Sequence, residues 1–220
     1  MAPPPKMAAS AALNRSSGAE QLLDAAIELI ATHGYAGMSV DALCRKAGVV
    51  KSGLYWHYGS KEGVLLAAIE RVTSEWIEDF QHTVEQGGDP LVRLDRTLGE
   101  MQRRIVESPE GLRVILVVLL ERSAADVEMR QLMERQLARI HASVTQSFTD
   151  ALGFELPDKD DIASLMLAMF HGVFLSYLSR QDRAHLAAMF AGMREALVLL
   201  ITRRIPADCA RAEGGKAEDS

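Results

Sequence analysis

Apolar residues recur every three or four positions along most of the chain, which is the spacing of amphipathic helices. No segment shows the β-branched alternation that is typical of a strand. Glycines and Gly/Asp/Pro clusters, such as those at 87–90 and 153–157, divide the pattern into about nine helices. The sequence therefore predicts an all-α protein.

The length of the predicted helices changes along the chain. The first four are closely spaced and two of them are short, whereas the later ones are mostly long. This change predicts an N-terminal domain at 17–62 and a larger helical domain at 63–205. The Ala/Pro/Ser-rich residues 1–16 and the Gly/Ala/charge-rich residues 206–220 are predicted to be disordered.

Two short helices are predicted at 40–47 and 51–58, after a first helix at 18–33 that ends at Gly34. Ser39 is a good N-cap for the second helix, and Gly48 ends it. Two helices joined by a glycine-containing turn of this length predict a helix-turn-helix, in a three-helix N-terminal domain. The later of the two helices is suited to the major groove of DNA.

The local distribution of charge supports the prediction of a DNA-binding helix-turn-helix. The chain has a net charge of −6, which argues against a protein that coats DNA through bulk charge. Between 45 and 61, however, it carries Arg45, Lys46, Lys51 and Lys61 and no acidic residue. The alternative is a solvated basic face on a small helical domain.

Three segments in this region, taken in order, resemble the DNA-binding signature of the tetracycline-repressor (TetR) family. They are Ser39-Val-Asp-Ala-Leu-Cys-Arg-Lys-Ala-Gly-Val, Lys51-Ser-Gly-Leu-Tyr-Trp-His-Tyr and Ser60-Lys-Glu. The resemblance implies a one-component bacterial regulator that binds double-stranded operator DNA as a homodimer and responds to a small-molecule effector. It further implies a C-terminal ligand-binding and dimerisation domain.

The resemblance also implies which residues read DNA bases. Lys51, Ser52 and Gly53 match base-reading positions at the start of the recognition helix, and Tyr55 matches a contact to bases or backbone. The sequence departs from the family pattern at two positions. Val50 stands where the family usually has a capping Ser or Thr, and Gly53 replaces a commoner hydroxyl or small side chain.

Contacts to the DNA backbone follow from the same resemblance. His57 and Lys61 match phosphate contacts, and Ser39 matches a residue whose hydroxyl and amide meet phosphate at a helix N-terminus. Arg15 is expected to reach the minor groove as part of an N-terminal arm.

Several residues permit a functional and a structural interpretation, and the structural one is favoured. Trp56 is expected to pack under the recognition helix, and Cys44 to be a buried thiol rather than a redox switch. Glu78 and His82 lie one helical turn apart but lack a third metal ligand. The acidic run 158–161 is expected to start a helix rather than bind a cation.

The last two predicted helices are the expected dimer interface. The first contains the apolar stretch 162–178, which is interrupted by polar residues and favours a buried helix over a membrane span. The alternative is that both helices only fill the core of a single chain. The predicted interface residues are Ile162, Leu165, Met169, Gly172, Val173, Leu186, Met189, Phe190, Met193 and Leu197.

A ligand pocket is expected among helices four to seven, where methionine and aromatic residues are frequent. Each of these residues also fits an ordinary core position, and His171 fits a hydrogen-bonded core histidine. The candidate residues are Trp76, Phe80, Met101, Ile105, Leu116, Leu119, Met133, Gln136 and His171.

The function predicted from these observations is a ligand-responsive repressor released from a palindromic operator. An activator or co-regulator with the same helix-turn-helix is the first alternative. A helical enzyme or small-molecule carrier with a vestigial DNA-binding domain is the second, although no catalytic or metal-binding constellation is recognisable. Neither a cofactor nor a membrane partner is expected. Two distant cysteines and no secretory signal predict a cytoplasmic protein, and the predicted DNA binding makes it nucleoid-associated.

Overall fold

The computed structural model describes residues 5–85, 89–122, 126–152 and 158–203, and within these ranges it has nine α-helices and no β-strand. The all-α prediction is therefore confirmed for the described residues. The helices are α1 (Pro5–Gly37), α2 (Val40–Ala47), α3 (Lys51–Tyr58), α4 (Lys61–Glu85), α5 (Pro90–Glu107), α6 (Glu110–Glu121), α7 (Val127–Leu152), α8 (Lys159–Arg180) and α9 (Arg183–Thr202).

Local signals set the bounds of α2 and α3, which agree with the prediction. The Ser39 hydroxyl accepts a hydrogen bond from the Ala42 amide (3.1 Å) and caps α2. Gly48 ends α2 in the left-handed conformation (φ 66°), which glycine adopts without a steric penalty. Val50 precedes α3 and makes no side-chain capping hydrogen bond, as its apolar side chain requires.

The first helix differs from the prediction at both ends. It begins at Pro5 rather than at Gly18, through an Ala-rich segment with high helix propensity. It runs on to Gly37, although Gly34 interrupts it with a positive φ of 70°. Gly34 thus breaks the helix as predicted, but the next residues form a further turn.

The chain divides into two compact units. The first contains the chain up to Trp76 together with Ser108–Leu137, so that it includes the helix-turn-helix and α6. Within it α1 packs mainly against α6 and α2. Leu22 and Leu54 share a buried core with Val114 of α6. Helix α6 lies outside the predicted domain at 17–62, yet its apolar face completes the core of the helix-turn-helix. The sequence did not indicate this, because the contacts join residues that are distant along the chain.

The second unit contains Ile77–Glu107 and the chain from Ala138 onward. Here α9 packs against α8 and α5. By length and composition alone, α8 and α9 could each span a membrane, but buried helices of soluble proteins meet the same criterion. The predicted disordered tail at 206–220 lies outside the described residues.

Candidate DNA-binding site

Helix α3 has one buried position and an outward face. Leu54 is fully buried in the core. Lys51 and Ser52 are exposed, and Tyr55 retains 50% of its accessible surface. The three outward side chains provide one ammonium and two hydroxyl groups, which can form hydrogen bonds to base edges and phosphates.

Trp56 does not pack under the recognition helix, so the prediction for this residue was wrong. Its side chain is 65% exposed and meets the ring of His57 edge-on, at 4.6 Å between centroids. Each residue turns an α-helix by about 100°, so Trp56 lies on the side opposite Leu54, whereas Tyr58 lies near Leu54. Tyr58 takes the inward position instead, and its hydroxyl donates to the Ala19 carbonyl (2.9 Å).

An acidic residue that sequence reasoning did not include stands beside the first recognition residue. The Lys51 ammonium and the Asp41 carboxylate form an ion pair, with 2.6 Å between Nζ and Oδ1. The hydrogen bond from Lys51 lowers the pKa of Asp41, and the same bond raises the pKa of Lys51. The basic run at 45–61 therefore faces a carboxylate from the first turn of α2.

The turn before α3 leaves little room for a side chain at Gly53. A Cβ atom at this position would lie 2.8 Å from Cγ1 of Val49, so any larger residue would require Val49 to move. The absence of a side chain at Gly53 also leaves the backbone of α3 accessible to a closely approaching ligand.

Lys61 is held by the protein rather than extended into solvent. Its ammonium donates to the Tyr35 carbonyl (3.2 Å) and lies 3.9 Å from the centroid of the Tyr35 ring. Burial lowers the pKa of Lys61. A phosphate contact from Lys61 would have to use the donors that remain on its ammonium.

Tyr35, Lys61, Glu62 and Arg122 form a cluster, here called the Tyr35 cluster, that joins the start of α4 to the residue after α6. The Tyr35 hydroxyl donates to Glu62 Oε2 (2.5 Å), and Arg122 Nη2 donates to Glu62 Oε1 (3.3 Å). Burial, followed by the bond to Glu62, raises the pKa of Tyr35 to about 12. Asp126 accepts a second hydrogen bond from Arg122 (2.9 Å).

The remaining predicted DNA contacts are placed as follows. Ser39 is exposed at the start of α2, with its hydroxyl engaged in the cap. His57 is half-buried, and its Nε2 would lie 3.7 Å from a Cβ atom at Gly18. The side chain of Arg15 lies outside the described residues. These assignments stay predictions.

Cys44 is a buried free thiol, as expected, and burial raises its pKa. A thiol with a raised pKa is a poor nucleophile near neutral pH, which supports a structural role. Among the described residues, no group of three His, Cys, Asp or Glu side chains is placed to hold a metal ion. Asp158 occupies the N-cap position of α8, with Asp160 and Asp161 in its first turn.

The predicted ligand-binding residues are divided between the two units. In the first unit Trp76, Met133 and Gln136 are buried, and Gln136 donates to Glu70 of α4 (2.8 Å). Leu116 and Leu119 there are half-buried. The second unit holds the buried Phe80, Met101 and Ile105 and the half-buried His171, whose pKa is lowered by burial. Their role in ligand binding stays a prediction.

Most of the predicted dimer residues lie inside the second unit itself. They pack within one chain and cannot also contact a partner directly, because their side chains are already covered. These buried residues are Ile162, Val173, Leu186, Phe190, Met193 and Leu197. Met169 and Met189 are half-buried, whereas Leu165 and Gly172 are exposed. The periodicity identified an apolar helix pair but not which of its faces is outward.

Comparison with known proteins agrees with the geometry of α2 and α3. The family model of the bacterial regulatory proteins, tetR family, matches residues 22–68. The transcriptional regulator SrpR of Pseudomonas putida is 25% identical over 179 residues, which cover 78% of each chain. The fatty acid metabolism regulator protein of Bacillus subtilis is 24% identical over 111 residues, or 50% of this chain and 56% of that protein.

A solved structure has the same fold over most of the chain. It is a tetR-family transcriptional regulator from Agrobacterium tumefaciens, with a TM-score of 0.71 and 18% identity. The match covers 83% of this chain and 98% of that structure. Members of this family are bacterial regulators of the cytoplasm and are not enzymes. Residues 22–68 therefore form a DNA-binding domain of the tetR family, and the chain is a DNA-binding transcription regulator similar to members of that family.

Proposed function

We propose that this regulator is a repressor that binds a roughly palindromic operator as a homodimer and is released by a small molecule. The observation that carries the proposal is the outward face of α3, formed by Lys51, Ser52 and Tyr55 over the buried Leu54. A dimer presents two such helices to successive major-groove faces about 34–36 Å apart. Bound in this way, the protein is associated with the nucleoid.

The proposed base contacts come from Lys51, Ser52 and Gly53, with Tyr55 reaching bases or backbone. The exposed ring of Trp56 adds an apolar surface that suits a thymine methyl group or a deoxyribose. These groups lie within six positions of one short helix and outside its buried Leu54, so a single groove can receive them together.

The proposed phosphate contacts surround the recognition helix. Ser39 stands at the N-terminus of α2, where backbone amides and the helix dipole favour an anion. His57 and Lys61 supply further donors, and Arg15 extends the contact to the minor groove. Phosphate contacts fix the register of the protein on DNA, and base contacts select the sequence.

The proposed dimer surface is the exposed side of α8 and α9. On α8 it contains Leu165, Gly172 and Leu175 at helical spacing, and among the described residues the space beside Gly172 is open beyond the helix's own backbone. On α9 the exposed residues include Gly192 and Leu199. Small residues allow two helices to approach closely, and a twofold axis would pair this surface with itself.

The effector is proposed to bind between α4 and α7 and to shift α4. In the first unit Gln136 of α7 donates a hydrogen bond to Glu70 of α4, and the same two helices carry the buried Met133 and Trp76. Because α4 begins at Lys61 in the Tyr35 cluster, its displacement would move the helix-turn-helix and change the spacing of the two recognition helices. The loss of DNA affinity equals the preference of the effector for the altered state.

Genomic footprinting tests operator binding. Purified protein is incubated with fragmented DNA of the source genome, and the retained fragments are sequenced. A short, salt-sensitive palindrome is expected, and Lys51→Ala should abolish its enrichment. The control is Lys46→Ala, which removes a lysine of α2 that is paired with Glu28 (2.5 Å). No enrichment at modest salt, together with no effect of Lys51→Ala, would overturn the proposal.

Release by an effector is tested on the recovered operator. Because a compared relative is named a fatty acid metabolism regulator, a fatty acid is the first probe. Dissociation of the complex at a concentration where the probe binds the free protein supports release. A compound that binds and leaves DNA affinity unchanged contradicts it. A reporter gene downstream of the operator distinguishes repression from activation.

A further inference from the structure

The ion pair between Lys51 and Asp41 joins the first residue of α3 to the first turn of α2. Both side chains remain in solvent, with 59% of Lys51 and 70% of Asp41 exposed. An exposed pair of this kind contributes little to the stability of the fold. The pair is therefore available for contact with a ligand, and it presents a hydrogen-bond donor and an acceptor side by side.

A carboxylate beside the DNA-facing end of a recognition helix has a specific electrostatic consequence. Phosphates repel it, so its presence opposes binding to DNA of arbitrary sequence. The repulsion is offset only where the carboxylate meets a hydrogen-bond donor in the groove. In the major groove those donors are the N4 amino group of cytosine and the N6 amino group of adenine.

The two members of the pair complement different halves of one base pair. A lysine ammonium can donate to both N7 and O6 of guanine, and a carboxylate accepts from N4 of cytosine. Guanine O6 and cytosine N4 are neighbours in the groove, because they are hydrogen-bonded to each other within the pair. The ammonium has three donors and uses one on Asp41, so two remain for guanine. An adenine–thymine pair would place the adenine amino group against the ammonium.

We propose that Asp41 and Lys51 together read one guanine–cytosine pair in each half of the operator. Lys51 donates to guanine O6 and N7, and Asp41 accepts from cytosine N4. This inference rests on the proposed binding of operator DNA through α3. Asp41 is thereby a specificity-determining residue, which holds the ammonium toward the base edge and lowers the affinity for other DNA.

The test is a selection from a library of randomised DNA duplexes, carried out with the full-length protein. Wild type is expected to recover a palindrome with one invariant guanine–cytosine pair in each half. Asp41→Ala should relax the preference at that pair alone, by about 5- to 150-fold, the range for a good base contact. It should also raise the affinity for unrelated DNA, since one negative charge is removed. Alanine favours the helical state, so folding is not at risk.

The matched control is Asp24→Ala. Asp24 is also 70% exposed and also forms a 2.6 Å ion pair, in this case with Arg71. The substitution removes the same charge from the same unit but from a pair outside α2 and α3. It should leave the recovered sequence unchanged.

A modified base then tests the proposed contact directly. N4-methylcytosine keeps the hydrogen used in base pairing and replaces the hydrogen that faces the groove. At the selected position it should weaken binding of wild type and have little effect on Asp41→Ala. A wild-type palindrome that Asp41→Ala recovers unchanged would overturn this inference and leave operator binding intact. Failure of wild type to recover any sequence would overturn both.

Discussion

The helix-turn-helix and the α8–α9 pair are both helical, but their sequences specify them in different ways. In α2 and α3 each boundary coincides with a local signal, such as the Ser39 cap or the positive φ of Gly48. In α8 apolar residues surround most of the helix, so neighbours in sequence differ in burial. Phe174 is fully buried, whereas Leu175 is 51% exposed. A local pattern thus sets where a helix begins and ends, but packing decides which side of it is covered.

The largest expected effect is at this neighbouring pair in α8. Phe174→Ala should lower the free energy of unfolding by about 3–5 kcal/mol, because it leaves a cavity in the core. Leu175→Ala should cost under about 1 kcal/mol in the folded chain, because half of the side chain is already in water. Urea unfolding at one fixed protein concentration measures both.

The same two variants also test the proposed dimer surface. Leu175→Ala should weaken self-association in sedimentation experiments while leaving the helical content unchanged. Equal destabilisation by the two substitutions would show that Leu175 is covered within the chain. An unchanged dimer would place the interface on another surface.

A second contrast lies within α3. Leu54→Ala should cost about 2–5 kcal/mol of stability, since its side chain is fully buried. Trp56→Ala should change stability by about 0.5 kcal/mol or less, yet weaken operator binding by about 1–3 kcal/mol. Thermal unfolding and a binding titration separate the two quantities. A loss of stability at Trp56 without a loss of DNA affinity would restore the packing role predicted from the sequence.

The Tyr35 cluster tests whether the locally specified region depends on α6. Arg122→Gln removes the charge that bridges Glu62 and Asp126, and about 1 kcal/mol of stability should be lost because the groups are only partly buried. Operator affinity should fall as well, since Lys61 shares this cluster. Arg103→Gln is the control, because the ion pairs of Arg103 within the described part of the chain are with Glu100 and Glu107 of its own helix. Equal effects of the two substitutions would contradict a link to α6.

The smallest expected effect concerns pH and His171. Burial lowers its pKa below the ordinary value of 6.5, so the unfolded chain binds the proton more tightly than the folded one. The stability that neutral His171 contributes is therefore present above pH 6.5 and is lost as the pH falls through the folded pKa. His171→Gln should reduce this loss in urea unfolding between pH 7.5 and about 5. The same acid sensitivity in both proteins would assign it to other groups.

Part of the candidate site could be predicted from the sequence. The outward side chains of α3 follow from helical periodicity once Leu54 is placed inside, and the basic run at 45–61 indicates DNA. The error at Trp56 came from assigning an aromatic residue to the core when the same periodicity puts Tyr58 there. The prediction of a phosphate contact for Lys61 was also incomplete, because its partner Tyr35 lies at the end of another helix.

The sequence alone determined the all-helical class, the bounds of α2 and α3 and the resemblance to the tetR family, because caps, turns and periodicity act between near neighbours. The tertiary structure decided the rest. It brought Asp41 to Lys51, Tyr35 to Arg122 and α6 to the core of the helix-turn-helix. It also decided which side of α8 is buried. These contacts join residues distant along the chain, and their energies depend on packing that no local pattern encodes.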